Sequence, residues 1–284
     1  MKDARTTVIN ISLPERLLHL ADQRARAEAR TRSDFFREAV RRYLGLTTVV
    51  AAQRQTSNVA EPNMGSAGFD YAHNPTWRIF RILAEFIDGF QFIGKFEKTV
   101  TFFGSARTAS DDTHYQSAEA LGGLLAQAGY TVITGGGPGI MEAANKGASD
   151  AGGQSVGLNI QLPTEQRTNA YVKDSIAFNY FFTRKVIMNI SAWAYVFFPG
   201  GYGTLNEFFE LIELEQNGKV EREVPIILIG KDFWLPLVAW LRQNVLAKHA
   251  IAADDLELWT IVDSPEEALE IIKTTKPRPP KLYV

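Results

Sequence analysis

The sequence has no cysteine among its 284 residues. That removes disulfides, thiolate metal sites and thiol nucleophiles together. Histidine is scarce too. His19, His73, His114 and His249 are scattered, without H-E-x-x-H or any similar ligand spacing, so no metal site is expected. No apolar run approaches the ~20 residues of a membrane span, and no basic-then-apolar leader opens the chain. A cytoplasmic protein without membrane contact is therefore expected. Two phosphate-binding signatures are also missing. The chain contains neither the G-K-[ST] of a P-loop nor the G-x-G-x-x-G of a dinucleotide turn.

What is present is enough apolar residue, 45% of the chain, to build a sizeable core. The net charge of −2 is unevenly spread. Residues 1–46 carry ten Lys/Arg against six Asp/Glu, whereas the remainder carries 20 against 26. A basic head on an acidic body suggests a separate module with its own partner.

The stretch that organises the chain is Phe197-Phe198-Pro199-Gly200-Gly201-Tyr202-Gly203-Thr204-Leu205-Asn206-Glu207. An aromatic and β-branched run of strand length, Trp193 to Phe198, precedes it. Leu205, Phe208, Leu211 and Ile212 follow at helical spacing, predicting a helix from Leu205 to Gln216. Strand, glycine turn and helix N-terminus together make an anion site, because unpaired amides and the positive end of the helix dipole point at the turn. Thr204 and Glu207 also have the spacing of a capping box, which would satisfy those amides from within.

From Thr99 onward strands alternate with helices. Strands are expected at 100–105, 130–134, 155–162, 175–178, 193–198, 225–229 and 258–262. Helices are expected at 76–92, 115–128, 140–151, 181–190, 205–216, 233–246 and 265–273. This rhythm predicts an α/β fold, a doubly wound parallel sheet of Rossmann-like type. Three glycine turns, Gly104-Ser105, Gly135 to Gly139 and Gly200 to Thr204, fall at carboxyl ends of predicted strands. On one sheet edge they argue for a phosphate-bearing, nucleotide-like ligand.

Gly135-Gly136-Gly137-Pro138-Gly139-Ile140-Met141-Glu142, the pair Arg184-Lys185 and Pro199-Gly200-Gly201-Tyr202-Gly203-Thr204-Leu205-Asn206-Glu207 together resemble the LOG family over residues 98–273. Its members hydrolyse the N-glycosidic bond of nucleoside 5′-monophosphates, including cytokinin ribotides and AMP, and many relatives were labelled lysine decarboxylases. The resemblance implies that Arg184 and Glu207 are the catalytic residues. It implies that Gly200, Gly201, Gly203 and Thr204 cradle the phosphate, with Lys185 beside Arg184 at the substrate. Gly104 and Ser105 match the turn near the nucleoside, and Gly136, Gly137 and Glu142 match the second glycine motif. Asn179-Tyr180-Phe181-Phe182-Thr183 departs from the methionine-containing segment of plant-type members, which leaves the base preference open.

Chemistry fits that implication. Cleaving an N-glycosidic bond builds positive charge on the ribose, as in glycoside hydrolysis. A carboxylate beside the sugar stabilises that charge and activates water. No cofactor is required. Decarboxylation with pyridoxal phosphate would need a Schiff-base lysine with a partner for the pyridine nitrogen, and no residue here is marked for it.

Ahead of this domain, Ile9-Asn10-Ile11-Ser12-Leu13-Pro14 alternates as a half-buried strand. A helix follows through Leu17, Leu18, Ala21 and Ala25, and a second from Ser33 with Phe36, Val40, Tyr43 and Leu44 on one face. So small a unit cannot bury a core alone, so a homodimer or higher homo-oligomer is expected. Residues 6–45 resemble a ribbon-helix-helix domain of the CopG/Arc/MetJ type. That resemblance implies a two-chain ribbon offering Thr6, Asn10 and Ser12 to DNA. The resulting division is a ribbon-helix-helix module at 1–46, which either only dimerises the chain or also binds DNA, a linker at 47–75 and a Rossmann-like domain at 76–284. Two functions are compatible with it: a nucleoside monophosphate hydrolase, and a nucleotide-sensing DNA-binding transcriptional regulator with little or no turnover.

Overall fold

Four runs, at 99–103, 131–134, 194–197 and 226–229, are buried on both faces, which suits a parallel sheet covered by helices on either side. The computed structural model has that form. It describes residues 15–27, 31–32, 75–161, 168–190, 192–219 and 224–274. The chain divides into two units, residues 1–66 and 67–284.

In the first unit, α1 (Glu15–Ala27) occupies the expected first helix, with Arg24 and Arg26 in its last turn, where cations complement the helix dipole. Ala25 is buried, and Arg32 grips the carboxylate of Asp22 with Nε at 2.6 Å and with Nη2. The expected strand at 9–14, with Thr6, Asn10 and Ser12, and the second helix from Ser33 lie outside the described residues. So does the linker, apart from Pro75.

The second unit opens with α2 (Pro75–Ile93). Proline suits its first position, where no intrahelical donor is needed. Then follow β1 (Thr99–Phe103), α3 (Thr113–Gln127), β2 (Thr131–Thr134), α4 (Ile140–Asp150), β3 (Ser155–Ile160) and β4 (Asp174–Phe178). The chain continues through α5 (Phe181–Ile190), β5 (Ala194–Phe197), α6 (Tyr202–Gln216), β6 (Ile226–Ile229), α7 (Lys231–Trp240), β7 (Thr260–Val262) and α8 (Pro265–Thr274). The seven strands lie in the order β4-β3-β2-β1-β5-β6-β7, all neighbours parallel.

That order creates a switch point. The chain runs outward from β1 to β4, then returns to β5 on the other side of β1, pairing Phe103 with Phe197. Crossovers leave the two strands in opposite directions, so a crevice opens between their carboxyl ends. Side chains alternate across the sheet. Val100, Phe102 and Val196 face a core formed with α3, α4 and α8. Phe103, Tyr195 and Phe197 face α2, α5, α6 and α7. Phe103 and Phe197 stack at 4.7 Å between centroids, and Phe102 and Phe198 at 6.2 Å, which binds the two switch strands on both faces.

Two expectations are corrected. The helix expected over 233–246 is α-helical only over Lys231–Trp240, then widens into a π turn at Leu241–Val245 and tightens to 3₁₀ at Leu246–Lys248. Asn244 Nδ2 donates to the Trp240 carbonyl at 3.0 Å, taking an acceptor that a regular helix would use. The organising helix begins not at Leu205 but at Tyr202, so Thr204 is no N-cap. Gly201 occupies that position without a side-chain cap, and the capping box does not form. Thr204 is drawn inward instead, 5% exposed and packed on Gly200. No helix among the described residues is long and apolar enough to cross a membrane.

Candidate active site

The three glycine turns come together at the carboxyl edge of the sheet. Ser105 joins them: its N–H donates to the Pro199 carbonyl at 3.1 Å, and its carbonyl accepts the Ile140 N–H at 3.0 Å. Gly104 permits this approach, since a Cβ there would lie 2.7 Å from Ile140. The Ser105 hydroxyl accepts the Arg107 N–H at 3.0 Å and thus supports its own turn.

The second turn rests on two side-chain amides, one buried and one half-buried, that the sequence reading missed. Asn145, fully buried on α4, accepts from Thr134 Oγ1 at 2.6 Å and donates to Ser155 Oγ at 2.9 Å. Asn169 Nδ2 lies 3.0 Å from Asn145 Oδ1 and 2.9 Å from the Gly137 carbonyl, and the Asn169 N–H donates to the Gly136 carbonyl. Gly136 has φ +69° and would place a Cβ 1.9 Å from Asn159 Oδ1, so this position admits only glycine. One signal was available: Asn145 is a polar residue within the apolar stripe Ile140, Ala144 and Ala148. Asn169 carried none.

The third turn is open where the second is filled. Apart from the adjoining residues and the backbone of α6 itself, no atom lies within 4 Å of a Cβ built on Gly201 or Gly203. The first bond back into α6 is from the Leu205 N–H to the Gly201 carbonyl. The amides of Tyr202, Gly203 and Thr204 therefore precede the helical ladder and sit at its positive end. Phe208 anchors this helix, with its ring 5.6 Å from Phe197, 5.4 Å from Trp234 and 5.5 Å from Trp259.

Glu207 precedes that anchor and lies in the second turn of α6, one turn later than a helix starting at Leu205 would place it. It shares a face with Gly203, about 6 Å further along the axis at ~1.5 Å per residue. Arg184 of α5 meets it, with Nη2 3.2 Å from Glu207 Oε1 and the two side chains only 12% and 14% exposed. The guanidinium also borders the second turn, since a Cβ on Gly135 would lie 3.3 Å from Nη1. Its Nε is buried without a hydrogen-bond partner. Phe181 covers it, with Arg184 Cζ 6.0 Å from the ring centroid.

Burial sets the charges of this pair. It pushes the Glu207 carboxyl above its ordinary range, opposed by the charges of Arg184 and Lys185. It lowers the Arg184 guanidinium, opposed by Glu207. Arginine starts so high that it remains a cation. A buried carboxylate held by one cation at 3.2 Å, longer than the ~2.7–2.9 Å of a tight charge-assisted bond, keeps lone pairs available.

Lys185 turns elsewhere. Its ammonium donates to Asn206 Oδ1 at 2.7 Å and pairs with Glu210, tying α5 to α6. Glu142 stands in the first turn of α4 with the Tyr115 hydroxyl 3.5 Å away. Burial and then the Glu142 charge raise the Tyr115 pKa. Arg184, Glu207 and the Gly135 turn thus meet directly, and Ser105 links all three turns. Thr6, Asn10 and Ser12 lie outside the described residues. Among the described residues no cluster of three or more His, Asp or Glu is disposed to hold a metal.

Comparisons with known proteins bear on the family to which the chain belongs. Residues 141–272 match the family model described as "possible lysine decarboxylase", and residues 7–47 match that of ribbon-helix-helix proteins of the CopG family. An uncharacterised protein of Archaeoglobus fulgidus is 34% identical over 120 residues, 42% of this chain and 76% of the relative. The cytokinin riboside 5′-monophosphate phosphoribohydrolase LOG of Oryza sativa is 27% identical over 181 residues, 63% of this chain and 72% of that protein. Among solved structures, the molybdenum cofactor binding protein of Rippkaea orientalis is 26% identical with a TM-score of 0.46, covering 62% of this chain and 94% of its own. With its glycine turns, its Arg184–Glu207 pair and its N-terminal match in view, the chain belongs to the LOG family and carries a ribbon-helix-helix module ahead of the LOG domain.

Proposed function

We propose that this protein hydrolyses the N-glycosidic bond of a nucleoside 5′-monophosphate, AMP or an N6-modified adenine ribotide, to free base and ribose 5-phosphate. The observation that carries the reading is the contact of Arg184 with Glu207 one turn below the uncapped, open N-terminus of α6. The phosphate sits over Gly201, Gly203 and Thr204, where amides and dipole neutralise it. The ribose then extends along the helix toward Glu207. As the C1′–N bond lengthens, its electrons pass to the base and positive charge grows on the sugar. The Glu207 carboxylate stabilises that charge and takes a proton from the water whose oxygen bonds to C1′. The departing base takes a proton from solvent. Arg184 holds the carboxylate ionised and in register, a task suited to its rigid fork.

Incubation with a panel of purine and pyrimidine monophosphates, reading liberated base, tests the assignment. Release from adenine ribotides supports it, and no release from any member refutes it.

The match of residues 7–47 favours a second role alongside this one. Residues 1–46 dimerise the chain and contact DNA through Thr6, Asn10 and Ser12, with 47–75 as linker and 76–284 as the nucleotide domain. Salt-sensitive DNA binding that disappears on deletion of residues 1–46 is the expected result. Binding that survives the deletion removes the role.

A further inference from the structure

Arg184 and Glu207 meet only because α5 presents its fourth residue at one height and rotation against α6. The first turn of α5 contains no acid, and Tyr180, Phe181 and Phe182 supply no capping oxygen. The acceptor comes instead from another helix. Glu85 of α2 places one carboxylate oxygen 2.8 Å from the Asn179 N–H and 2.8 Å from Asn179 Nδ2. Its other oxygen lies 2.6 Å from Thr183 Oγ1 and 3.4 Å from the Tyr180 N–H. The Thr183 hydroxyl is also 2.8 Å from the Tyr180 carbonyl, and its single proton favours the charged acceptor. Both carboxylate oxygens are thus engaged at the positive end of the helix that bears Arg184.

A second feature of α2 serves the same contact. Gly89 lies one turn beyond Glu85, on the same face. A Cβ there would fall 2.7 Å from Ile187 of α5 and 3.2 Å from Phe178, so the missing side chain lets the two helices close. Thr183, adjacent to Arg184, is fully buried beneath the carboxylate.

We propose that Glu85 is a positioning residue for the hydrolysis proposed above: its carboxylate caps the first turn of α5 and thereby sets Arg184 against Glu207. The inference rests on that reaction for its effect on rate, but the geometry it asserts can be read without turnover. Glu85 does not touch the substrate. It acts through Thr183 and the backbone of 179–183, which immediately precede Arg184.

The test uses the full chain with Glu85→Ala, Glu85→Gln and Thr183→Val. Three readouts are taken: kcat and KM for AMP, the melting temperature, and the Nε–Hε nuclear resonance of Arg184, assigned by its loss in Arg184→Lys. The expected result is a fall in kcat of about tenfold or more for Glu85→Ala, since a misplacement of ~1 Å can cost ~10²-fold. KM should change far less. Glu85→Gln, which keeps one acceptor oxygen, should recover part of the rate, and the Arg184 resonance should move in the order Ala, then Gln. A lower melting temperature with unchanged kcat and an unmoved Arg184 resonance would make Glu85 merely structural and overturn the proposal. If Glu85→Ala does not fold, Glu85→Gln and Thr183→Val decide by the same criteria. If the wild-type protein turns over no nucleotide, the reaction fails, while the Arg184 resonance still decides whether Glu85 positions that side chain.

Discussion

A single methyl group distinguishes a glycine needed for packing from one needed for ligand. Gly203 is the second residue of α6, has no positive φ, and would present a Cβ to open space. Gly203→Ala should therefore stabilise the fold, by about 0.5–1 kcal/mol from the backbone entropy of glycine alone. At ~2–4 °C per kcal/mol for a domain of this size, the melting temperature should rise by about 1–4 °C. The same Cβ leans toward the helix N-terminus, into the space before the amides. Loss of one charge-assisted bond to phosphate costs about 1.5–3 kcal/mol, so KM for the nucleotide should rise about ten- to hundredfold. Gly200→Ala should behave in the opposite sense. Its Cβ would lie 2.2 Å from Oγ1 and 2.6 Å from Cβ of the buried Thr204. Overpacking of this kind costs about 1–3 kcal/mol, so the melting temperature should fall. Differential scanning calorimetry paired with initial-rate kinetics reads both. A Gly203→Ala protein that is more stable and has an unaltered KM would remove the phosphate from the N-terminus of α6.

Two further outcomes follow from the same geometry. Glu207 works as a base only when ionised, and burial lifts its pKa above 4.5, so kcat/KM should fall with acidification at a midpoint above that value. A midpoint at or below 4.5 in the pH–rate profile would contradict the buried setting. Asn145→Ala should leave the Thr134 and Ser155 hydroxyls without their buried partner and destabilise the protein by about 3 kcal/mol, seen as a lower denaturant midpoint. A midpoint equal to that of wild type would show that the amide network does not hold the second glycine turn.

The sheet was legible because β1, β2 and β6 are short buried runs followed directly by Gly104, Gly135 and Gly230. Each of the three turns also lies at the strand end where the sequence places it. The pairing of Arg184 with Glu207 followed from resemblance rather than from spacing, because 23 residues and a β-strand separate them. The start of α6 was misread for a physical reason. Thr204 and Glu207 have the spacing of a capping box, yet Gly200 lets Thr204 turn inward and Arg184 claims Glu207. The supports of the site were invisible for another. Asn145 reaches Asn169 across 24 residues and Glu85 reaches Asn179 across 94, and no local period records such contacts. Asn244 shows the same limit within one helix, where a side-chain amide competes with the ladder that periodicity assumes.

The central claim is that the α6 N-terminus and the Arg184–Glu207 pair together cut a ribose phosphate from its base. Chromatographic quantitation of adenine and ribose 5-phosphate after incubation with AMP, for wild type and Glu207→Gln, tests it most directly. Equal yields of the two products from wild type, with a loss of about 10²-fold or more in the variant, are predicted. Equal turnover by a folded Glu207→Gln protein would contradict the account.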